Sequence, residues 1–321
     1  MITKQAGPQV VAVGHLCVDR IYLCREFPAE NTSQRILDFS QHAGGTASQA
    51  IATLARLGVP VGYLGSFGDD EAGSYLYQDC RKEGIDLSRC VFCPGVVHSF
   101  TNVFVNVRRN TRTFLSYHGK FPPLAFTAEK IEYLAQARIV HLDNTDSGNA
   151  LAAARIAREH GVLVSLDASS MDPDNGKNWE LVRMCDILIA NETFPGRLTG
   201  NPDRRAALLE IDRAVHPQVL LSTAGEHGCM AVADGKITEY PAYRIRPVDT
   251  TGAGDVFHGA FLYGLLRGFA LAENIRFASA AAAISCGSVG GRDGIPRPGE
   301  VEAFMERHPF SSDPESASGA V

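Results

Sequence analysis

The strongest constraint in this sequence is an alternation. Short apolar runs at 10–14, 61–65, 139–142, 162–166, 187–190 and 219–222 are separated by longer stretches whose apolar residues recur at helical spacing. A run of four or five apolar residues without polar alternation suits a strand buried on both faces, and helices between such runs give the βαβ rhythm of a parallel sheet. The predicted fold class is therefore α/β, a doubly wound, mainly parallel sheet flanked by helices. No repeat, charged run or Gly/Ser-rich linker divides the 321 residues, so one domain over 1–309 is expected. The small, polar FSSDPESASGAV at 310–321 is expected to be a flexible tail.

Two stretches break the rhythm. Residues 18–40 and 99–117 read as strands joined by polar turns with no helix between them, most clearly in TNVFVNVRRNTRTFLSY at 101–117, two alternating runs about an Arg-Asn-Thr turn. They are expected to form a small antiparallel β lid from segments at about 15–42 and 98–118.

Composition removes several function classes. Thirty Lys and Arg against 36 Asp and Glu give a formal charge of −6, leaving no basic surplus for a nucleic-acid backbone. No run approaches the roughly 18–20 apolar residues that span a bilayer, and MITKQAGPQ at the start lacks the apolar core of a secretory signal. A cytoplasmic protein is expected, with no membrane partner. The eight cysteines are too sparse for a disulfide scaffold and read as reduced thiols. Cys90 and Cys93 have the spacing of a metal or redox pair, but no second pair accompanies them, and the spacing is read as incidental.

The chemistry concentrates at 248–261, VDTTGAGDVFHGAF. Val256, Phe257, Ala260, Phe261 and Leu265 recur at helical spacing, so a helix begins at Ala253 or Gly254 with glycines at its N-terminus. Unpaired N–H groups there lie at the positive end of the helix dipole, and Gly252 and Gly254 present no side chain to obstruct an anion. Asp255 in the first turn could simply stabilise the helix. Beside a transferring phosphoryl group it could instead accept the proton of an attacking hydroxyl while the amides hold the phosphoryl oxygens. A second glycine-led helix is expected at 45–58, GTASQAIATLARLG, after the pair Gly44-Gly45. Other phosphate motifs fail: the Gly-Lys pairs at 119, 176 and 235 complete no Walker A loop, and GAGDVF lacks the third glycine of a dinucleotide fingerprint.

These residues resemble the ribokinase-like sugar kinases of the phosphofructokinase B family. DTTGAGDVFHGAF is similar to that family's C-terminal signature and AGGTASQAIATLARLG to its N-terminal one, and the likeness runs from about 9 to 307 through GSFGDDEAG, IANETFPGRLTG and STAGEHG. The resemblance implies a ribokinase-like fold and an ATP-dependent kinase that phosphorylates a primary hydroxyl of a small sugar. It implies Asp255 as the base and the amides of Gly252, Ala253 and Gly254 as the anion hole. It further implies Asp19, Gly44, Gly45, Thr46 and Gln49 as sugar contacts and Arg112 on the lid as a phosphate contact. Asn191, Thr223, Gly225, Gly228, Gly254 and Gly287 would lie at the nucleotide, Asp249 and Thr251 near a monovalent cation such as K+, and Mg2+ would arrive with ATP. A homodimer through the lid is also implied.

Two departures stand out. Phe194 replaces the acid of the family's usual Asn-x-x-Glu, with Glu192 displaced along the helix, and Gln49 replaces the usual Asn. Ketohexokinase-like and sulfofructose kinase-like branches share features with this chain: GGTASQ and RTFLSYHGKFP resemble the first, and DVFHGA, RFAS and GGRDGIP the second. A ketose is the expected substrate. His258 and Arg292 could contact an anionic sugar substituent or could simply pack in the interior. A nucleoside kinase, and a sugar-binding regulator that has lost the chemistry, are the alternatives.

Overall fold

The computed structural model describes residues 7–109 and 111–310. All six apolar runs are strands of one eight-stranded sheet, with ends moved by at most two residues. They are β1 (Val10–Val13), β4 (Val61–Tyr63), β9 (Ile139–Asp143), β10 (Leu163–Ala168), β11 (Ile187–Ala190) and β12 (Val219–Thr223), joined by β13 (Cys229–Ala233) and β14 (Lys236–Tyr240). The order is β14-β13-β12-β11-β10-β9-β1-β4. Every pairing is parallel except β12–β13 and β13–β14. Strand order reverses about β1, with β4 on one side and β9 on the other, and the crevice beyond the carboxyl ends of such a pair is where open α/β sheets bind ligands.

The lid strands are β2 (Cys17–Cys24), β3 (Asp38–Gly44), β7 (Phe100–Asn106) and β8 (Thr111–Tyr117), in the order β3-β2-β7-β8. β2–β3 and β7–β8 are antiparallel, but β2 pairs with β7 in parallel. The lid is therefore mixed, a correction to the antiparallel expectation: two hairpins whose first strands run the same way can join only in parallel. A short parallel pair, β5 (Ser66–Gly68) with β6 (Val91–Cys93), stands apart.

One face of the main sheet carries α1 (Thr46–Arg56), α2 (Glu71–Lys82), α8 (Ala253–Arg267), α9 (Leu271–Ser285) and α10 (Pro298–Arg307). The other carries α3 (Ala128–Ala135), α4 (Ser147–Glu159), α5 (Asn175–Val182), α6 (Phe194–Thr199) and α7 (Arg204–Val215). Ile51, Leu54 and Phe261 are fully buried on the first face, Leu142, Leu166 and Leu188 on the second. α8 is buried continuously from Val256 to Gly264 because it is sandwiched between α1 and α9. A Cβ on Gly259 would sit 2.6 Å from Thr53 Cβ and overlap the Ala50 carbonyl, so this glycine lets α8 lie directly on α1. That close approach sets the two glycine-led helix starts side by side. Residues 311–321 of the expected tail lie outside the described residues; Phe310 belongs to the packed body, its ring 4.9 Å from that of Tyr243.

Candidate active site

The start of α1 is closed by the protein itself. Gly45 has φ +99°, and a Cβ there would lie 2.5 Å from the His15 carbonyl oxygen. The space beside Gly44 is filled by the Asp19 carboxylate. The glycine pair thus accommodates neighbouring chain, where the sequence suggested room for a ligand. Asp143, at the end of β9 and 1% exposed, accepts from His15 N–H at 2.6 Å, Ala47 N–H at 3.2 Å and Thr145 N–H at 2.9 Å. One carboxylate ties the β1 exit to the first turn of α1, a role the sequence reading missed; its only signal was an acid ending a buried strand. Thr46 is half-buried in that turn and Gln49 almost wholly buried.

The start of α8 is left open. Its N-cap is Gly252, φ +75°, with no side-chain cap. Among the described residues the amides of Gly252, Gly254 and Asp255 have no acceptor, whereas Ala253 N–H donates to the Thr250 carbonyl at 3.3 Å. Asp255's own amide is thus left free with those of Gly252 and Gly254, while the amide of Ala253, which the resemblance placed in the anion hole, is engaged by Thr250. A Cβ on Gly254 would meet nothing within 4 Å, so this residue fronts open space.

Three acids near this region differ in their protonation tendencies. Burial pushes Asp255 well above the usual carboxylate range, and Asp167, Asp143 and Asp19 push it further. Burial likewise raises Asp19 to about 6, against a hydrogen bond from Cys17 and the nearby His42. Burial opposes ionisation of Asp249 too, but donation from Gly290 N–H at 3.0 Å and from Thr251 N–H and hydroxyl at 2.9 and 2.7 Å, with Arg112 at 2.8 Å, outweighs it and lowers its pKa. Arg112 therefore fastens lid strand β8 to the loop before α8, also reaching the Thr250 and Thr251 hydroxyls at 3.4 Å. Both carboxylate oxygens of Asp249 are thereby engaged. The Asp249–Thr251 pair does not fit a monovalent cation in this arrangement, since Arg112 already supplies the positive charge.

Neither basic candidate for an anionic sugar group is available. Arg292 is 3% exposed with its guanidinium bonded to Gln49, Ser48 and Asp79. His258 Nε2 lies 3.2 Å from Asp167 Oδ2 in the interior, where burial lowers the imidazole and raises the Asp167 carboxyl, disfavouring the charged form of each. Cys90 donates to the Tyr63 carbonyl at 3.1 Å, and burial raises its thiol to about 12, which disfavours the thiolate that metal binding or exchange with Cys93 would use.

Beyond Gly254 opens a cavity of about 980 Å³. Thr223, Gly225, Gly228 and Gly254 line it as expected, with Tyr243, Ile245, Phe257, Ala282 and Ala283 supplying an apolar wall. Asn191 and Gly287 do not line it. The Asn191 side chain instead accepts from the amides of Thr193 and Phe194, capping α6, and donates to the Ser169 carbonyl; beside Gly287, Cys286 is the lining residue. Phe194 is buried, while Glu192 reaches the cavity wall despite its displacement. A deep slot with one apolar wall, ending at a helix start with free amides, is shaped for a heterocycle carrying a phosphate chain.

The fold and site together define a nucleotide-using phosphotransferase. Residues 8–298 match the pfkB family carbohydrate kinase model, and the chain belongs to that family. It is 26% identical over 328 residues to a 5-dehydro-2-deoxygluconokinase of Shouchella clausii, covering 95% of this chain and 98% of that one. It is 24% identical over 295 residues to a ketohexokinase of Mus musculus, covering 89% and 98%. The structure of Arabidopsis thaliana ribokinase complexed with ribose and ATP superposes with a TM-score of 0.83 at 25% identity, over 94% of this chain and 99% of that one. The protein is an ATP-dependent phosphotransferase, a sugar or nucleoside kinase with the ribokinase fold.

Proposed function

We propose that the protein transfers the γ-phosphoryl group of ATP to a primary hydroxyl of a ketose of the fructose type. The carrying observation is the pairing of Asp255 with the uncapped start of α8: a basic carboxylate and free amides within one turn. Asp255 takes the alcohol proton, and the amides of Gly252, Gly254 and Asp255 hold the oxygens of the phosphoryl group as charge develops on them. Asp19, Thr46 and Gln49 face the sugar, with Gly44 and Gly45 shaping that wall. Thr223, Gly225 and Gly228 flank the nucleotide, with Asn191 and Gly287 bracing the loops around it. Mg2+ arriving with ATP would neutralise the phosphates, and Glu192 is the acid on the cavity wall that would hold its water shell. No step is assigned to K+.

The lid supports two further readings. Closing it through Arg112 would exclude water from the γ-phosphate. The lid exposes Phe39 and Leu115 on one face and Phe114 on the other, which supports a homodimer through the lid. One kinase domain over 1–309 and a cytoplasmic location, supported by eight unpaired cysteines, complete the proposal.

Asp255→Asn should lower kcat by about 10³-fold or more while ATP still raises the melting temperature as in the parent protein. ADP release, measured over D-fructose, D-ribose and adenosine, checks it. Undiminished turnover in the variant removes the base, and turnover of adenosine alone removes the sugar.

A further inference from the structure

Asp249 lies in the loop that ends at Gly252, the N-cap of the helix whose free amides are assigned to the phosphoryl group. Its carboxylate joins two loops at that helix start. Oδ1 accepts from the Thr251 amide and hydroxyl at 2.9 and 2.7 Å, and Oδ2 accepts from the Gly290 amide at 3.0 Å. The backbone reinforces the link, since the amides of Val248 and Asp249 both donate to the Cys286 carbonyl, at 2.8 and 3.2 Å. Next to Gly290, Gly291 packs on the N-cap itself: its Cα would lie 3.1 Å from a Cβ on Gly252. The loops that frame the start of α8 therefore meet on one acid.

That acid creates an electrostatic problem. An ionised carboxylate so near the free amides repels the phosphates they are to hold, so a positive charge has to accompany it. A monovalent cation at Asp249 and Thr251 is one solution, the one implied by the resemblance. The structure carries another. Arg112 Nη2 lies 2.8 Å from Asp249 Oδ1, and Nη1 reaches the Thr250 and Thr251 hydroxyls at 3.4 Å. Oδ1 thereby receives three donors and Oδ2 one, which fills the roughly four lone-pair sites of a carboxylate. An ion seated on these side chains would have to displace a donor and lie against a permanent cation. Among the described residues no other basic side chain pairs with Asp249.

We propose that the Arg112 guanidinium takes the place of the monovalent cation at Asp249, so that phosphoryl transfer by this protein needs no K+ and the neutralising charge is delivered by lid strand β8. Arg112 is a positioning residue: it compensates Asp249 and steadies the loops around the start of α8. This rests on that helix start being the phosphoryl site, as proposed above. It also ties the readiness of the anion hole to the position of the lid, because one side chain joins the two.

Exchanging the cation in solution provides the test. At constant ionic strength, ADP release with D-fructose, D-ribose or adenosine, whichever is turned over, is compared in KCl and in tetramethylammonium chloride, whose cation is too bulky for a site among protein oxygens. The parent protein should give the same kcat in both within about twofold. Arg112→Ala should lose about 100-fold in tetramethylammonium and regain about 10-fold or more in KCl. The double variant Arg112→Ala with Asp249→Asn, which has no carboxylate to compensate, should not respond to K+. A parent protein that needs K+ overturns the proposal. So does an Arg112→Ala variant equally slow in both salts, the result expected of a residue that only contacts phosphate or closes the lid. A K+ response that survives in the double variant places the ion elsewhere and overturns it too. The substrate-free arm is thermal: KCl in place of tetramethylammonium chloride should raise the melting temperature of Arg112→Ala by about 3 °C and that of the parent by less than about 1 °C. Equal shifts in the two proteins overturn the replacement. Should no acceptor be turned over, the substrate reading of the previous section fails, while the thermal arm still decides which cation Asp249 holds.

Discussion

α1 and α8 begin alike, with a glycine of positive φ at the N-cap and small residues in the first turn, and they pack against each other, yet their ends are used in opposite ways. At α1 a buried carboxylate of the protein, Asp143, takes the Ala47 amide, and neighbouring chain fills the space beside both glycines. At α8 no side chain caps the helix and the first amides face a cavity. A helix start attracts an anion wherever it lies. Which start binds a ligand is decided by whether the fold has already supplied the anion.

That contrast makes unequal predictions for the two ends. The largest effect is expected from Gly45→Ala, which would force an alanine into φ +99° and against the His15 carbonyl. It should cost about 3 kcal/mol or more of stability, read as a fall in the denaturation midpoint. Asp143→Asn comes next. It keeps the shape but puts an NH2 where one of three backbone donors must bond, at about 2 kcal/mol, again read in the midpoint. Were Asp143→Asn as stable as the parent, the claim that α1 is closed by its own protein would fall. At α8 the same kind of change should spare the fold. Gly252→Ala strains one turn by about 1 kcal/mol and presses a methyl against Gln49 and Gly291 beside Asp255, displacing the start of α8, so kcat should fall about 10–100-fold in the ADP-release assay.

The sequence carried the frame of this comparison but not its decisive contact. Strands such as β11 were legible because four apolar residues buried on both sides leave no alternative. The start of α8 was legible because Gly252 and Gly254 precede an apolar helical pattern. Asp143 was not, because nothing near position 143 says that β9 ends beside the first turn of α1. Arg112 meeting Asp249, and Asn191 spending its oxygen on capping α6, were hidden for the same reason. Each depends on which loops the fold brings together, and local pattern contains no such information. At Arg292 the sequence left ligand contact and interior packing open, and the fold decides for packing: burial beside Asp79 and Gln49 has already engaged its donors.

The smallest effect sharpens the comparison through pH. Asp19 sits between the two helix starts, and its pKa in the folded protein is raised from 3.8 to about 6 by burial. The folded state therefore holds a proton that the unfolded chain releases, so this group's contribution to stability is greatest below about pH 4, declines as pH rises through 6, and is a constant penalty above that. The two-unit rise corresponds to an upper limit of roughly 2–3 kcal/mol, reduced by any water that reaches the carboxylate. Asp19→Asn should therefore raise the melting temperature at pH 8 by a few degrees, with the gain shrinking toward zero by about pH 4. Turnover should fall at every pH, because the sugar wall loses its acid. Stability bought by removing a functional carboxylate is the signature of a site held ready for a ligand. If Asp19→Asn were destabilising at pH 8, Asp19 would instead belong with Asp143 to the structural closure of α1.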